Sequence, residues 1–305
     1  MKFELNEKER LEYYENFKKS GKLARETLEY GASLIKPGAS YVSVLRSILK
    51  KIEDLGAKPA FPPQMSLNET AAHFMPSPND DVVFNDELIK LDIGINVDGA
   101  IGDNATTVDL SGKWKDLVKA SREAVNNATK IIEVGTPIRN IGKEIQETIL
   151  SYNDYTSVKN LSGHGLAPYV IHCKPTIPNY DNGNETKITK DMTFACEPFA
   201  TPGKGLIRES GDGWIFRMVA KKPVRDPVAR KLISKFEEFN GLPFSLFETD
   251  TNVPYFKLRV ALKQMERLNI IQSYPPLVEE TKGMVSQAEH SILIDSDGKK
   301  FITTR

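Results

Sequence analysis

Cysteine is nearly missing from this chain. Two residues, Cys173 and Cys196, stand among 305, too few for a disulfide framework, which excludes the small stapled secreted folds and suits a reducing cytosol. Net charge is missing too. The 41 Lys and Arg balance 41 Asp and Glu, so bulk electrostatics points to neither nucleic acid nor an acidic partner. No apolar run approaches the roughly 18 residues of a membrane span. The opening MKFELNEKERLEYYENFKK is too charged for a secretory leader. A soluble cytoplasmic protein without membrane contact is expected. What is present is globular, 40% hydrophobic and 27% charged, at a length that suits one large domain or two small ones.

Periodicity and breakers give a coarse map. Glu7 to Leu34 has helical composition, closed by Pro37-Gly38, and Ser40 caps a second helix over about 41–55. Residues 59–86 are Pro-rich and read as irregular, with short strand candidates. Strands are expected at 88–97 and 100–110, then helices at 115–134 and 138–151. Further strands are expected near 157–162, 192–199, 214–222, 284–294 and 299–304, and further helices at 226–240 and 254–268. The order is α+β, not a strict alternation. Helix–helix–hairpin material seen early and again near 115–199 suggests an internal duplication.

The stretch LDIGINVDGAIGDNATTVDL, residues 91–110, poses the main chemical question. Asp98-Gly99 is a two-residue hairpin turn signal. With that turn, paired positions sum to 197, so Asp92 faces Ala105 and Gly94 faces Asp103. Alternation then puts Asp92 and Asp103 on one face as diagonal neighbours, with Leu91, Ile93, Ile95 and Val97 on the other. Two close carboxylates need a cation, a shared proton or solvation. From the hairpin alone, a wet outer face and a site are equally open. Small neighbours, Gly94 and Ala105, leave room around the acids.

Histidine is scarce: His73, His164, His172 and His290 are all there are. His164 sits between glycines in Ser162-Gly163-His164-Gly165, which lets the backbone come close to whatever the imidazole touches. His290 shares a strand face with Ile292 and Ile294 and reads as structural. Glu197 and Glu289 lie within apolar strand-like runs. Taken singly, either could be an edge-strand gatekeeper.

Taken together, Asp92, Asp103, His164, Glu197 and Glu289 resemble, in order and local context, the five metal ligands of the methionine aminopeptidase and prolidase superfamily. The resemblance covers nearly the whole chain and is closest to type II methionine aminopeptidases. Ala60-Phe61-Pro62 with Ser66-Leu67-Asn68-Glu69-Thr70-Ala71-Ala72-His73 looks like the type II pattern, as do Ser162-Gly163-His164 through His172, and Tyr274-Pro275-Pro276 ahead of Glu289. Asp92 arrives too early for the extra N-terminal domain of prolidases. The long stretch between Glu197 and Glu289 is similar to the type II insert. The short N-terminus is similar to the archaeal form. Gly165-Leu166-Ala167-Pro168 departs from the animal enzymes, and a histidine of the methionine pocket in some type II enzymes has no counterpart.

The resemblance implies a pita-bread fold: a curved antiparallel sheet flanked by helices in pseudo-twofold halves. The catalytic domain would comprise 1–224 and 276–305, with a helical, winged-helix-like insert at 225–275. It implies two divalent ions, cobalt, manganese or iron, with zinc also compatible. Four carboxylates and a neutral imidazole balance two such ions, not one. Asp103 and Glu289 would bridge, Asp92 would chelate one ion, and His164 and Glu197 would complete the other. The implied reaction removes the initiator methionine of nascent chains with a small second residue, through a hydroxide activated by both metals. Glu197 would shuttle the proton, His172 would stabilise the oxyanion and His73 would contact the substrate amide or the leaving nitrogen. Phe61, Ile171 and Tyr274 match positions near the methionine pocket. A monomer is expected. Ribosome contact, if any, would be transient, and the basic helix of the insert reads most simply as a solvated face. Two alternatives remain: a pita-bread peptidase that cleaves X-Pro bonds, and a non-catalytic protein that binds RNA or ribosomes through the insert.

Overall fold

A computed structural model describes residues 5–152, 154–249 and 253–305. The first half runs α1 (Glu7–Leu34), α2 (Tyr41–Asp54), β1 (Lys58–Leu67), β2 (Thr70–Ala72), β3 (Leu88–Val97) and β4 (Ala100–Asp109). Then come α3 (Lys115–Ile131), α4 (Ile138–Leu150), β5 (Thr156–Ser157), β6 (Ser162–Ala167), β7 (Val170–Pro178), β8 (Met192–Cys196), β9 (Phe199–Thr201) and β10 (Ile207–Glu209). The remainder is β11 (Ile215–Met218), α5 (Pro227–Phe236), β12 (Phe244–Ser245), α6 (Tyr255–Arg267), β13 (Ile271–Tyr274), β14 (Leu277–Glu279), β15 (Ser286–Gln287), β16 (His290–Ile294) and β17 (Lys300–Ile302).

Two antiparallel sheets organise the molecule, in strand orders β1-β3-β4 and β17-β16-β8-β6-β7. Each is covered by a helix pair. On the first, α1 and α2 bury Ala24, Leu28, Leu45 and Ile48 against Ile89, Leu91, Ile93 and Ile95. On the second, α3 and α4 bury Val125, Ile141 and Ile145 against Ile177, Phe194 and Ile292. The start of α1 is fixed by a capping box: Glu9 N donates to Asn6 Oδ1 at 3.0 Å and Asn6 N donates to Glu9 Oε2 at 2.9 Å. The sheets meet where Ser291 Oγ of β16 accepts from Asp103 N and donates to Asp103 O, both at 2.8 Å. Glu289 N also donates to Ala105 O, at 3.1 Å.

Two regions differ from the expectation. The Pro-rich start of 59–86 is not irregular but forms the ten-residue β1. Prolines survive there because β1 is the edge of its sheet, and the register slips between Pro59 and Phe61 and again between Phe61 and Gln64. Likewise, 162–178 is a hairpin, β6–β7, where glycines and prolines hide the strand pattern. The segment following β10 has its own core, with Phe236, Phe244, Leu262 and Met265 buried together. It is mixed, not helical alone: β12, β11 and β13 form a sheet, and β11 precedes residue 225. Among the described residues, no helix is long and apolar enough to cross a membrane.

Candidate metal centre

The β3–β4 hairpin has the register that its turn dictates, with Asp92 opposite Ala105 and Gly94 opposite Asp103. Its acidic face is not an open outer surface: Asp92 is half-buried and Asp103 buried. Asp103 is only 3% exposed, because the second sheet lies over it. Nor is the space above Gly94 free. A Cβ there would meet the Phe61 ring at 2.3 Å, so glycine is what lets Phe61 of β1 lie across the hairpin.

His164 comes from β6, Glu197 directly follows β8 and Glu289 directly precedes β16. The glycines beside His164 serve close strand packing. A Cβ at Gly163 would meet Ala195 O at 2.3 Å, and one at Gly165 would meet Lys174 O at 2.3 Å. Both obstacles are backbone atoms and cannot swing aside. Gly165→Ala is therefore expected to destabilise the protein by about 1–3 kcal/mol, read from urea denaturation. An unchanged midpoint would contradict this packing.

Asp103, His164 and Glu289 each offer one ligand atom, all within 4.8 Å of one another. His164 Nε2 lies 3.8 Å from Asp103 Oδ2 and 3.5 Å from Glu197 Oε1. Burial pushes the Asp92, Asp103, Glu197 and Glu289 carboxyls up from their ordinary range, and for the last three the neighbouring carboxylates push further. The imidazoles shift the other way. Burial first and His172 second bring His164 down to about 3 and His73 to about 4. His172 is held at about 4 by its surroundings and then by Arg217. All three are neutral at pH 7.

All ten residues singled out in the sequence line one open cavity of about 490 Å³. The five candidate ligands share it with Phe61, His73, Ile171, His172 and Tyr274. The His164 and His172 rings meet edge to face at 4.4 Å, and those of His73 and Tyr274 at 5.3 Å. Phe61 and Ile171 are buried side chains of a shared apolar cluster. His290 lies elsewhere, with Nδ1 2.9 Å from Thr304 Oγ1.

Two site residues were not found from sequence. Gln287 Nε2 donates to Glu197 Oε2 at 3.4 Å, and its amide also reaches Asp92. The signal was there, since Gln287 is two residues before Glu289. Gln64 accepts from His73 N at 2.7 Å, which holds His73 in its left-handed conformation, φ 64°. The edge-strand slips around Pro62 and Pro63 hid that alignment.

Among the described residues, no Lys or Arg forms an ion pair with any of the four carboxylates. Asp92 Oδ1 is buried without a hydrogen-bond partner. A buried group of carboxylates with an unused oxygen requires protons or cations. The oxygen-rich set with one neutral imidazole fits hard or borderline divalent metals.

Comparison with known proteins agrees with this chemistry. The model of metallopeptidase family M24 matches residues 15–218. A methionine aminopeptidase of Methanocaldococcus jannaschii is 40% identical over 295 residues, covering 96% of this chain and 99% of that protein. Among solved structures, the methionine aminopeptidase of Thermotoga maritima aligns over all of both chains, with TM-score 0.69 and 24% identity. A thermophilic Arx1 aligns over 96% of this chain and 90% of its own, with TM-score 0.81 and 15% identity. The architecture is thus the pita-bread fold. With an acidic, histidine-bearing cavity at its centre and near-complete alignment to such relatives, the chain belongs to metallopeptidase family M24 and, within it, to the methionine aminopeptidases.

Proposed function

We propose that this protein removes the N-terminal methionine from newly made polypeptides whose second residue is small. The observation that carries the reading is the convergence of four carboxylates and three neutral histidines in one cavity. Asp92, Asp103, His164, Glu197 and Glu289 would hold two divalent ions. When bound, these would acidify a water and polarise the scissile carbonyl.

The chain's own groups do the rest. Glu197 takes the proton of the attacking water and passes it to the leaving nitrogen. Its Oε2 is oriented by Gln287. His172, neutral at pH 7, donates an N–H to the developing oxyanion. His73, held by Gln64 and stacked edgewise on Tyr274, donates to the substrate amide. Phe61, Ile171 and Tyr274 supply an apolar wall for an unbranched thioether side chain. An inserted unit at about 225–275, with β11 completing its sheet, and a cytoplasmic location, where nascent chains are made, belong to this reading.

Peptide turnover tests this reading. Met-Ala-Ser should be cleaved with kcat/KM about 10²-fold above Met-Leu-Ser, because a bulky second side chain collides with the wall. Equal rates for the two, or turnover of X-Pro dipeptides in place of Met-Ala-Ser, would overturn it.

A further inference from the structure

Side chains alternate along β4, so Asn104 and Thr106 point away from the acidic cavity. They line a second cavity, of about 400 Å³, that shares no residue with the first. Three guanidinium groups converge on it: Arg25 from α1, Arg122 from α3, and Arg305. The one side-chain carboxylate among its lining residues is that of Glu29. It pairs with Arg25 at 2.8 Å, but both side chains are more than half exposed (51% and 65%), where such a pair contributes little.

The other two cations have only neutral partners. Arg122 Nη2 donates to Thr106 Oγ1 at 2.8 Å, and Arg305 Nη2 donates to Asn126 Oδ1 at 3.1 Å. Among the described residues, neither forms an ion pair. Burial and the Arg305 charge both lower the Arg122 pKa, the mark of like charges brought together without a counterion. Asn104, 2% exposed, has a side-chain oxygen with no hydrogen-bond partner. Its amide can turn to present N–H donors to an acceptor in the cavity. Three positive and one negative lining side chains leave two positive charges, of which the α-carboxylate of Arg305, where the sequence ends, offsets one. Planar guanidinium forks match tetrahedral oxyanions in geometry as well as charge.

We propose that this cavity binds a divalent tetrahedral oxyanion, either free phosphate or the phosphate group of a small monoester. The site is independent of the peptidase reading and uses none of its residues.

Titration calorimetry on the intact, metal-stripped chain tests it. The probes are inorganic phosphate and glycerol 3-phosphate, at constant ionic strength against chloride. One saturable site per chain is expected for at least one probe. Arg122→Gln should weaken binding about tenfold or more, the loss of a charge-assisted hydrogen bond. Arg25→Gln, on the exposed rim and safe for folding, should weaken it severalfold. His164→Ala, in the other cavity, should leave it unchanged. Tighter binding of the ester assigns the source to a phosphomonoester, and tighter binding of phosphate to the free ion. No saturable heat with either probe, or undiminished binding in both arginine variants, would overturn the proposal.

Discussion

Glu197→Gln is expected to lower kcat on Met-Ala-Ser by about 10²–10⁴-fold, the usual contribution of a positioned general base. The glutamine has nearly the same shape and keeps the contact with Gln287, so the circular dichroism spectrum should not change. It cannot accept the proton of the attacking water. KM should move far less than kcat, since the lost group acts on the reacting atoms and not on the methionine side chain. The metal-free variant should also melt higher than the wild type. The Glu197 carboxyl is pushed up by burial, then by Asp103 and Asp92, and its removal relieves that repulsion. A variant that keeps full turnover would remove Glu197 from the chemistry.

The second large effect concerns pH and metal together. In the metal-free protein the four carboxyls of the cavity, two buried and two half-buried, have folded-state pKa values above their unfolded ones, Asp92 at about 7 and the others well raised. The folded state therefore holds more carboxyl protons than the unfolded state, but below about 6.5 the four histidines, held at about 3 to 4 by burial, oppose this, because the unfolded imidazoles are protonated. Stability should therefore fall as pH rises from about 6.5, where the histidines are neutral in both states, through about 7 and beyond. The loss should be on the order of a few kcal/mol, seen as a falling Tm. Divalent ions reverse the sign, because they bind the deprotonated site and are displaced by protons. With manganese or cobalt in excess, Tm should rise over the same interval, and chelation should restore the falling curve. Turnover should vanish with chelation and return when metal is added back. A metal-free Tm that rises from pH 6.5 to pH 8.5 would contradict the electrostatics of the cavity.

Much of this site was legible because strands encode faces with a period of two. Asp98-Gly99 set the hairpin register, and the register put Asp92 and Asp103 together. The same pattern could not say whether their face was wet. That depends on β16 and the glutamate preceding it, almost 190 positions later, and no local signal carries such a contact. The resemblance to a known family supplied the five candidate ligands, but local reading failed at β1 and β6–β7. Proline and glycine there mark edge slips and close strand approach, whereas in isolation they signal loops. Gln64 was lost with β1. Lys90 was missed for a different reason. It sits 1% exposed inside β3, with Nζ donating to Asn68 O at 2.6 Å, and a lysine in a strand ordinarily reads as solvent-facing. The arginine cavity was invisible, since Arg25, Arg122 and Arg305 come from distant parts of the chain and each looks like a surface charge.

The central claim is that the five side chains hold a pair of cations. Crystals soaked in manganese and measured at its absorption edge test it directly. Two anomalous peaks between the β3–β4 hairpin, His164, Glu197 and Glu289 are predicted, and His164→Ala should weaken one of them. No peak in that cavity, with the carboxylates in place, would contradict the account.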